Sequence, residues 1–106
     1  MPNKHPRFFV IIAIDYDETY TADTEFWLDV IKLGKSRGHK FICVTARTHK
    51  DGMCDLLKSQ CEIFCTNGLP KIQALYDMGQ RLPQVWIEDM SHLLFAEGQV
   101  ELPECY

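Results

Sequence analysis

The chain has 106 residues, 46% of them hydrophobic and 25% charged, with a formal net charge of −4. That is enough for one modest core and too little for two, so a single domain over residues 1–106 is expected. The acidic balance argues against a general nucleic-acid-coating surface, and no apolar run approaches the ~20 residues that span a bilayer, so no membrane partner is expected.

Five cysteines, Cys43, Cys54, Cys61, Cys65 and Cys105, form an odd set with no CxxC pair. That usage fits reduced thiols in a cytoplasmic protein rather than a disulfide framework. Cys61 and Cys65 with His49 or His92 match no closed four-ligand zinc spacing. Residues 1–7 read as a flexible lead-in. The apolar stretch behind them is broken by Asp15 and Asp17 and shows no small-residue cleavage site, so no signal peptide is expected.

Residues 8–14 are an apolar run rich in β-branched and aromatic side chains, the pattern of a strand buried on both faces. The run stops in Asp15-Tyr16-Asp17-Glu18-Thr19. Carboxylates are costly to bury unpaired, and two of them two residues apart point to one side of an extended chain. Such a pair at the end of a core strand suits a hard divalent cation such as Mg²⁺. Asp23 or Thr24 is expected to cap a helix with Trp27, Val30, Ile31 and Gly34 on its buried face, closed by Lys35, Arg37 and Gly38.

A second short strand, Phe41-Ile42-Cys43-Val44, ends in Thr45-Ala46-Arg47-Thr48. The next helix is expected to bury Met53, Leu56 and Leu57. Glu62-Ile63-Phe64-Cys65 is a third strand, placed near a sheet edge, and Thr66-Asn67-Gly68 turns the chain. Pro70 suits the first position of a third helix, with Ile72, Leu75, Tyr76 and Gly79 inward. Val85-Trp86-Ile87 is a fourth strand, closed by Glu88-Asp89. A helix capped by Ser91 and a brief fifth strand around Val100 and Leu102 complete the chain.

Strands that are continuous apolar runs and alternate with helices indicate a doubly wound, Rossmann-like α/β domain: a parallel sheet of about five strands with helices on both faces. Such sheets bind ligands outside the carboxyl ends of their strands. There the pattern delivers Asp15 and Asp17, Thr45, Glu88 and Asp89, with Lys71 at a helix start. Acids can hold Mg²⁺, while a lysine, a hydroxyl and nearby N–H groups suit a phosphoryl group. A carboxylate beside a metal is a competent nucleophile in phosphoryl transfer, and a second carboxylate can move the proton. Trp27 and Trp86 are expected in the core, and His49 and His92 are not needed by this chemistry.

In this order and placement the residues resemble the haloacid dehalogenase-like superfamily. Asp15-Tyr16-Asp17-Glu18-Thr19 matches its D-x-D-x-T motif. Thr45 closes the second-motif strand, Lys71 is the third-motif lysine, and Glu88-Asp89 stands for the acidic fourth motif. The resemblance implies a Mg²⁺-dependent phosphatase, a phosphoric monoester hydrolase working through an aspartyl-phosphate. Asp15 would be nucleophile and metal ligand. Asp17 would be general acid/base and lend its backbone carbonyl to the metal. Thr45 and Lys71 would bind the phosphoryl group, Arg47 would read the substrate, and Asp89 would complete the metal site. The role of Glu88 stays open, between coordinating the metal through water and tuning the site. Asp17 sets this chain apart from the dehalogenase members, which lack a second Asp.

The intervals from Thr19 to Thr45 and from Cys65 to Lys71 have no room for the cap domain that many relatives carry. An open mouth is therefore expected, suited to a bulky phosphorylated substrate, whether a small molecule, a protein or a nucleic-acid end, and compatible with a homo-oligomer that closes it. Three other readings stay open: a nucleotide or nucleic-acid end phosphatase, a phosphate- and Mg²⁺-binding module without turnover, and a receiver-like domain. In the last, the acidic pair and the phosphorylated Asp would lie on different strands, whereas Asp15 and Asp17 share one.

Overall fold

In a computed structural model residues 9–90 are described. The lead-in, the helix expected from Ser91, the strand expected around Val100 and Leu102, and His92 and Cys105 lie outside the described residues. Among the described residues four strands form: β1 (Ile11–Ile14), β2 (Lys40–Thr45), β3 (Glu62–Cys65) and β4 (Val85–Ile87). Three α-helices lie between them: α1 (Thr24–Ser36), α2 (Asp55–Gln60) and α3 (Lys71–Asp77), with a short 3₁₀ turn at Tyr20–Ala22 ahead of α1.

All strand pairings are parallel, in the order β3-β2-β1-β4. The chain steps outward from β1 to β3 and then crosses to the far side of β1. β4 thus lies on the other side of β1 from β2 and β3.

Alternation along the strands builds two cores. Ile12 and Ile14 of β1, Phe41 and Cys43 of β2, Ile63 and Ile87 face one side, where Ile31 of α1 and Leu57 of α2 cover them. Ile11, Ala13, Ile42, Val44, Phe64 and Trp86 face the other, under Leu75 of α3. Both faces of the sheet are therefore apolar, which is why the strands read as unbroken hydrophobic runs rather than alternating ones.

Asp23 caps α1 by accepting the Phe26 N–H at 3.1 Å. Gly34 lets that helix sit on β2, because a Cβ there would run into the Phe41 ring. The buried faces expected of the helices are corrected at four residues: Leu56 and Tyr76 are exposed, Gly79 is exposed and lies past the end of α3, and Met53 is buried ahead of α2 rather than on it. Pro70 stands just before α3, in an extended conformation with ψ 130°, so Lys71 is its first residue. These helices are only 6 and 7 residues long. Over two turns a one-residue shift in the start rotates the buried stripe by about 100°. Among the described residues no helix is long and apolar enough to cross a membrane.

Candidate active site

Asp15 is the first residue beyond β1, and its N–H still bonds to the Ile87 carbonyl of β4 at 2.9 Å. Its backbone is thus held at the junction of β1 and β4. The chain then curls back. Tyr20 N–H donates to the Asp15 carbonyl at 3.2 Å and Thr21 N–H to the Tyr16 carbonyl at 3.1 Å. Glu18 takes a left-handed backbone with φ 64° at the tip of this turn. The curl returns Thr19 to Asp15, where its hydroxyl donates to Oδ2 at 3.3 Å.

Lys71 comes to the same carboxylate from the opposite side. The loop after β3 is zipped onto the loop after β2: Thr66 N–H to the Thr45 carbonyl (2.8 Å), Gly68 N–H to Ala46 (2.9 Å) and Asn67 N–H to Arg47 (3.2 Å). Asn67 and Gly68 both have positive φ there, 55° and 79°, which a tight turn back into α3 requires. That turn aims Lys71 inward from the first position of the helix. Its ammonium lies 2.7 Å from Asp15 Oδ1 and 2.6 Å from Glu88 Oε1, and its side chain is 1% exposed. An ammonium this deep is costly to bury without anions against it.

β4 supplies those further anions. One carboxylate oxygen each from Asp15, Glu88 and Asp89 lies within 4.8 Å of the others, and no other group of three candidate ligand residues occurs among the described residues. Burial pushes the carboxyls of Asp15 and Glu88 above their ordinary range, outweighing the pull of Lys71 on each. Several acids around one lysine leave a surplus of negative charge in a poorly solvated place. Hard oxygen donors with surplus charge fit a Mg²⁺-class cation. The donor set is compatible with that ion and not specific to it.

Asp17 lies outside this group. Arg47 binds its carboxylate with both arms, Nη2 to Oδ1 at 2.8 Å and Nε to Oδ2 at 3.0 Å. This fork holds the Asp17 carboxyl below the ordinary range. Thr45, the last residue of β2, is buried, and its Oγ1 accepts the Arg47 N–H at 3.2 Å. Its hydroxyl proton remains for another acceptor. His49 is exposed in the loop beyond.

The structure therefore brings Asp15, Lys71 and Asp89 of the sequence-derived set into one cluster and adds Glu88, whose role was left open, as a direct partner of Lys71. Thr45 is tied by the zipped loops to Thr66, in the turn that leads to Lys71, while Asp17 and Arg47 are engaged with each other. The hydrogen bond from Thr19 to Asp15 was not foreseen, although the threonine of D-x-D-x-T was the signal for it. Thr66 was also passed over. It is buried, and its Oγ1 is the only buried side-chain polar atom without a partner among the described residues. Cys43, Cys54, Cys61 and Cys65 are free thiols, and burial pushes Cys61 up to about 11.

No protein-family model, no curated protein and no solved structure matches this chain. What the site does has to be read from its own atoms.

Proposed function

We propose that this chain is a Mg²⁺-dependent phosphomonoester hydrolase of the haloacid dehalogenase-like kind, with Asp15 as nucleophile. The observation that carries the reading is the state of that carboxylate. It sits at the carboxyl end of the central strands, 8% exposed, with Oδ1 on the Lys71 ammonium and Oδ2 on the Thr19 hydroxyl. A merely structural acid has no need of two further carboxyls beside it.

In the reaction Asp15 attacks phosphorus and the bond to the leaving oxygen breaks, giving an aspartyl-phosphate. Asp17, once it is free of Arg47 and has taken up a proton from solvent, donates that proton to the leaving oxygen. It then takes one from the water that attacks the phosphoryl group, which returns the Asp15 carboxylate and inorganic phosphate. Lys71 offsets charge on the transferring group and keeps Asp15 oriented, while the Thr45 hydroxyl has a proton to give to a phosphoryl oxygen. Asp15 and Asp89, with Glu88 beside them and the Asp17 carbonyl, would hold Mg²⁺, which supplies positive charge to the phosphoryl oxygens when bound.

Only the curl, the 3₁₀ turn and α1 join β1 to β2, and a five-residue turn, residues 66–70, joins β3 to α3. Neither connection carries a cap, which favours a bulky phosphorylated substrate over a small one. The decisive assay is p-nitrophenyl phosphate hydrolysis with and without Mg²⁺. Turnover that requires the ion and disappears in Asp15→Asn supports the reading; no turnover, or undiminished turnover in that variant, overturns it. Phosphopeptides, nucleotides and end-phosphorylated oligonucleotides then sort the substrate. A second reading, phosphate and Mg²⁺ binding without turnover, is favoured by one observation: both oxygens of Asp17 are already occupied by Arg47.

A further inference from the structure

A proton shuttle has to present a carboxylate oxygen to the leaving group, and Arg47 covers both oxygens of Asp17. The guanidinium is well seated in its own right. It lies over the Tyr16 ring, 5.0 Å from the centroid, and Tyr16 is packed into the core beneath. The Arg47 backbone is fixed as well, N–H to Thr45 Oγ1 and carbonyl from Asn67 N–H. The pair itself is the loose part, with side chains 37% and 52% exposed, so water and other anions reach both partners. A guanidinium fork accepts two phosphate oxygens in the same planar, two-point manner as it accepts a carboxylate. β1 and β2 are adjacent, so the segments carrying Asp17 and Arg47 leave the sheet side by side at the Asp15 end.

We propose that Arg47 is a partner-exchange latch: it holds Asp17 by both oxygens in the free protein, and an arriving phosphoryl group takes the guanidinium and releases Asp17. The inference rests on the phosphatase reading and reconciles it with the covered proton shuttle. Arg47 is a positioning residue for Asp17 and a ligand of the phosphoryl group in turn. The exchange needs side-chain rotation only, because the Tyr16 ring supports the guanidinium with either anion. Its consequence is that the proton shuttle is uncovered only while a phosphoryl group is seated.

The test is NMR of the four arginine Nε–H groups in the full chain during titration with inorganic phosphate, with the Arg47→Ala variant assigning the Arg47 signal. The Asp17 carboxyl carbon and the Thr45 and Lys71 backbone amides are followed in parallel. The expected result is a saturable shift of Arg47 Nε and the Asp17 carboxyl together, with the amides, and a loss of phosphate affinity of about tenfold in Arg47→Ala. Amides that shift while Arg47 Nε and Asp17 stay still overturn the latch and leave the phosphatase reading standing. The same shifts produced by sodium chloride at equal ionic strength also overturn it, since screening alone then separates the pair. No saturable response anywhere overturns the latch too; hydrolysis measured on the same sample then decides separately whether the phosphatase reading survives.

Discussion

Asp15 and Asp17 stand two residues apart on one turn, and each meets a cation from a distant part of the chain. Asp15 meets Lys71 in the interior, at 8% and 1% side-chain exposure, whereas Asp17 meets Arg47 at the surface, at 52% and 37%. In the first pair the lysine is shared with Glu88, so acids outnumber the cation and burial sets the electrostatics. In the second, the geometry is one to one and bidentate, and solvent screens it. Contact distance is similar in both, 2.7 and 2.8 Å, so distance says nothing about what either pair is worth. The difference lies in what replaces a lost partner: water at Arg47, nothing at Lys71.

The contrast is broken most severely at Lys71. Lys71→Met leaves Asp15 and Glu88 facing each other without a cation, and a loss of about 3–5 kcal/mol in urea unfolding at neutral pH is expected, together with loss of hydrolysis. Adding Glu88→Gln to that variant should recover part of the stability and none of the activity. Asp15→Asn separates the two effects: Glu88 still pairs with Lys71, so stability should change by less than about 1 kcal/mol while turnover falls at least about 10³-fold. A chelator should lower the unfolding free energy of wild type by about 1–3 kcal/mol relative to saturating Mg²⁺. Asp89→Asn should show a much smaller difference.

At the surface pair the effects shrink. Arg47→Ala is expected to shift the urea midpoint only slightly, and its difference from wild type should vanish in high salt. The pH dependences should have opposite signs. Asp15 and Glu88 bind protons more tightly folded than unfolded, so their contribution to stability falls as pH rises from the ordinary carboxylate range through their raised values. Asp17 is depressed, so its contribution is present above the ordinary range and is lost as pH falls through its lowered value. Carboxyl ¹³C titrations of the metal-free chain should place Asp15 above Asp17; the reverse order would remove the basis of the comparison.

Much of the framework was legible in the sequence because burial on both sheet faces leaves a plain mark. Strands β2, β3 and β4 fall on the three apolar runs, and the acids and Lys71 occupy the strand ends and helix start that pattern alone indicated. The edge position of β3 was also legible, since Glu62 opens a short and less apolar run. Side-chain partnerships were another matter. Arg47 and Asp17 are 30 residues apart, Lys71 and Asp15 are 56 apart, and no local periodicity reports which of several charges will meet. Leu56 and Tyr76 were misplaced because each helix offers too few turns for its buried face to be read from spacing. Their exposure depends on where Cys54 and Pro70 start those helices, which the loops before them decide.

β4 is three residues long and joins the sheet only through β1 among the described residues. Its docking is clasped by Gln84, whose N–H bonds to the Ile11 carbonyl at 3.0 Å and whose Oε1 accepts the Ile11 N–H at 2.8 Å, across 73 residues of chain. Closing so long a loop is a late and entropically expensive step for a polypeptide. Glu88 and Asp89 follow β4, so the charge cluster is complete only once β4 has docked beside β1. The assembled cluster is consequently a reporter of completed folding, and a nascent or nicked chain lacking β4 would carry Asp15 and Lys71 as an ordinary ion pair.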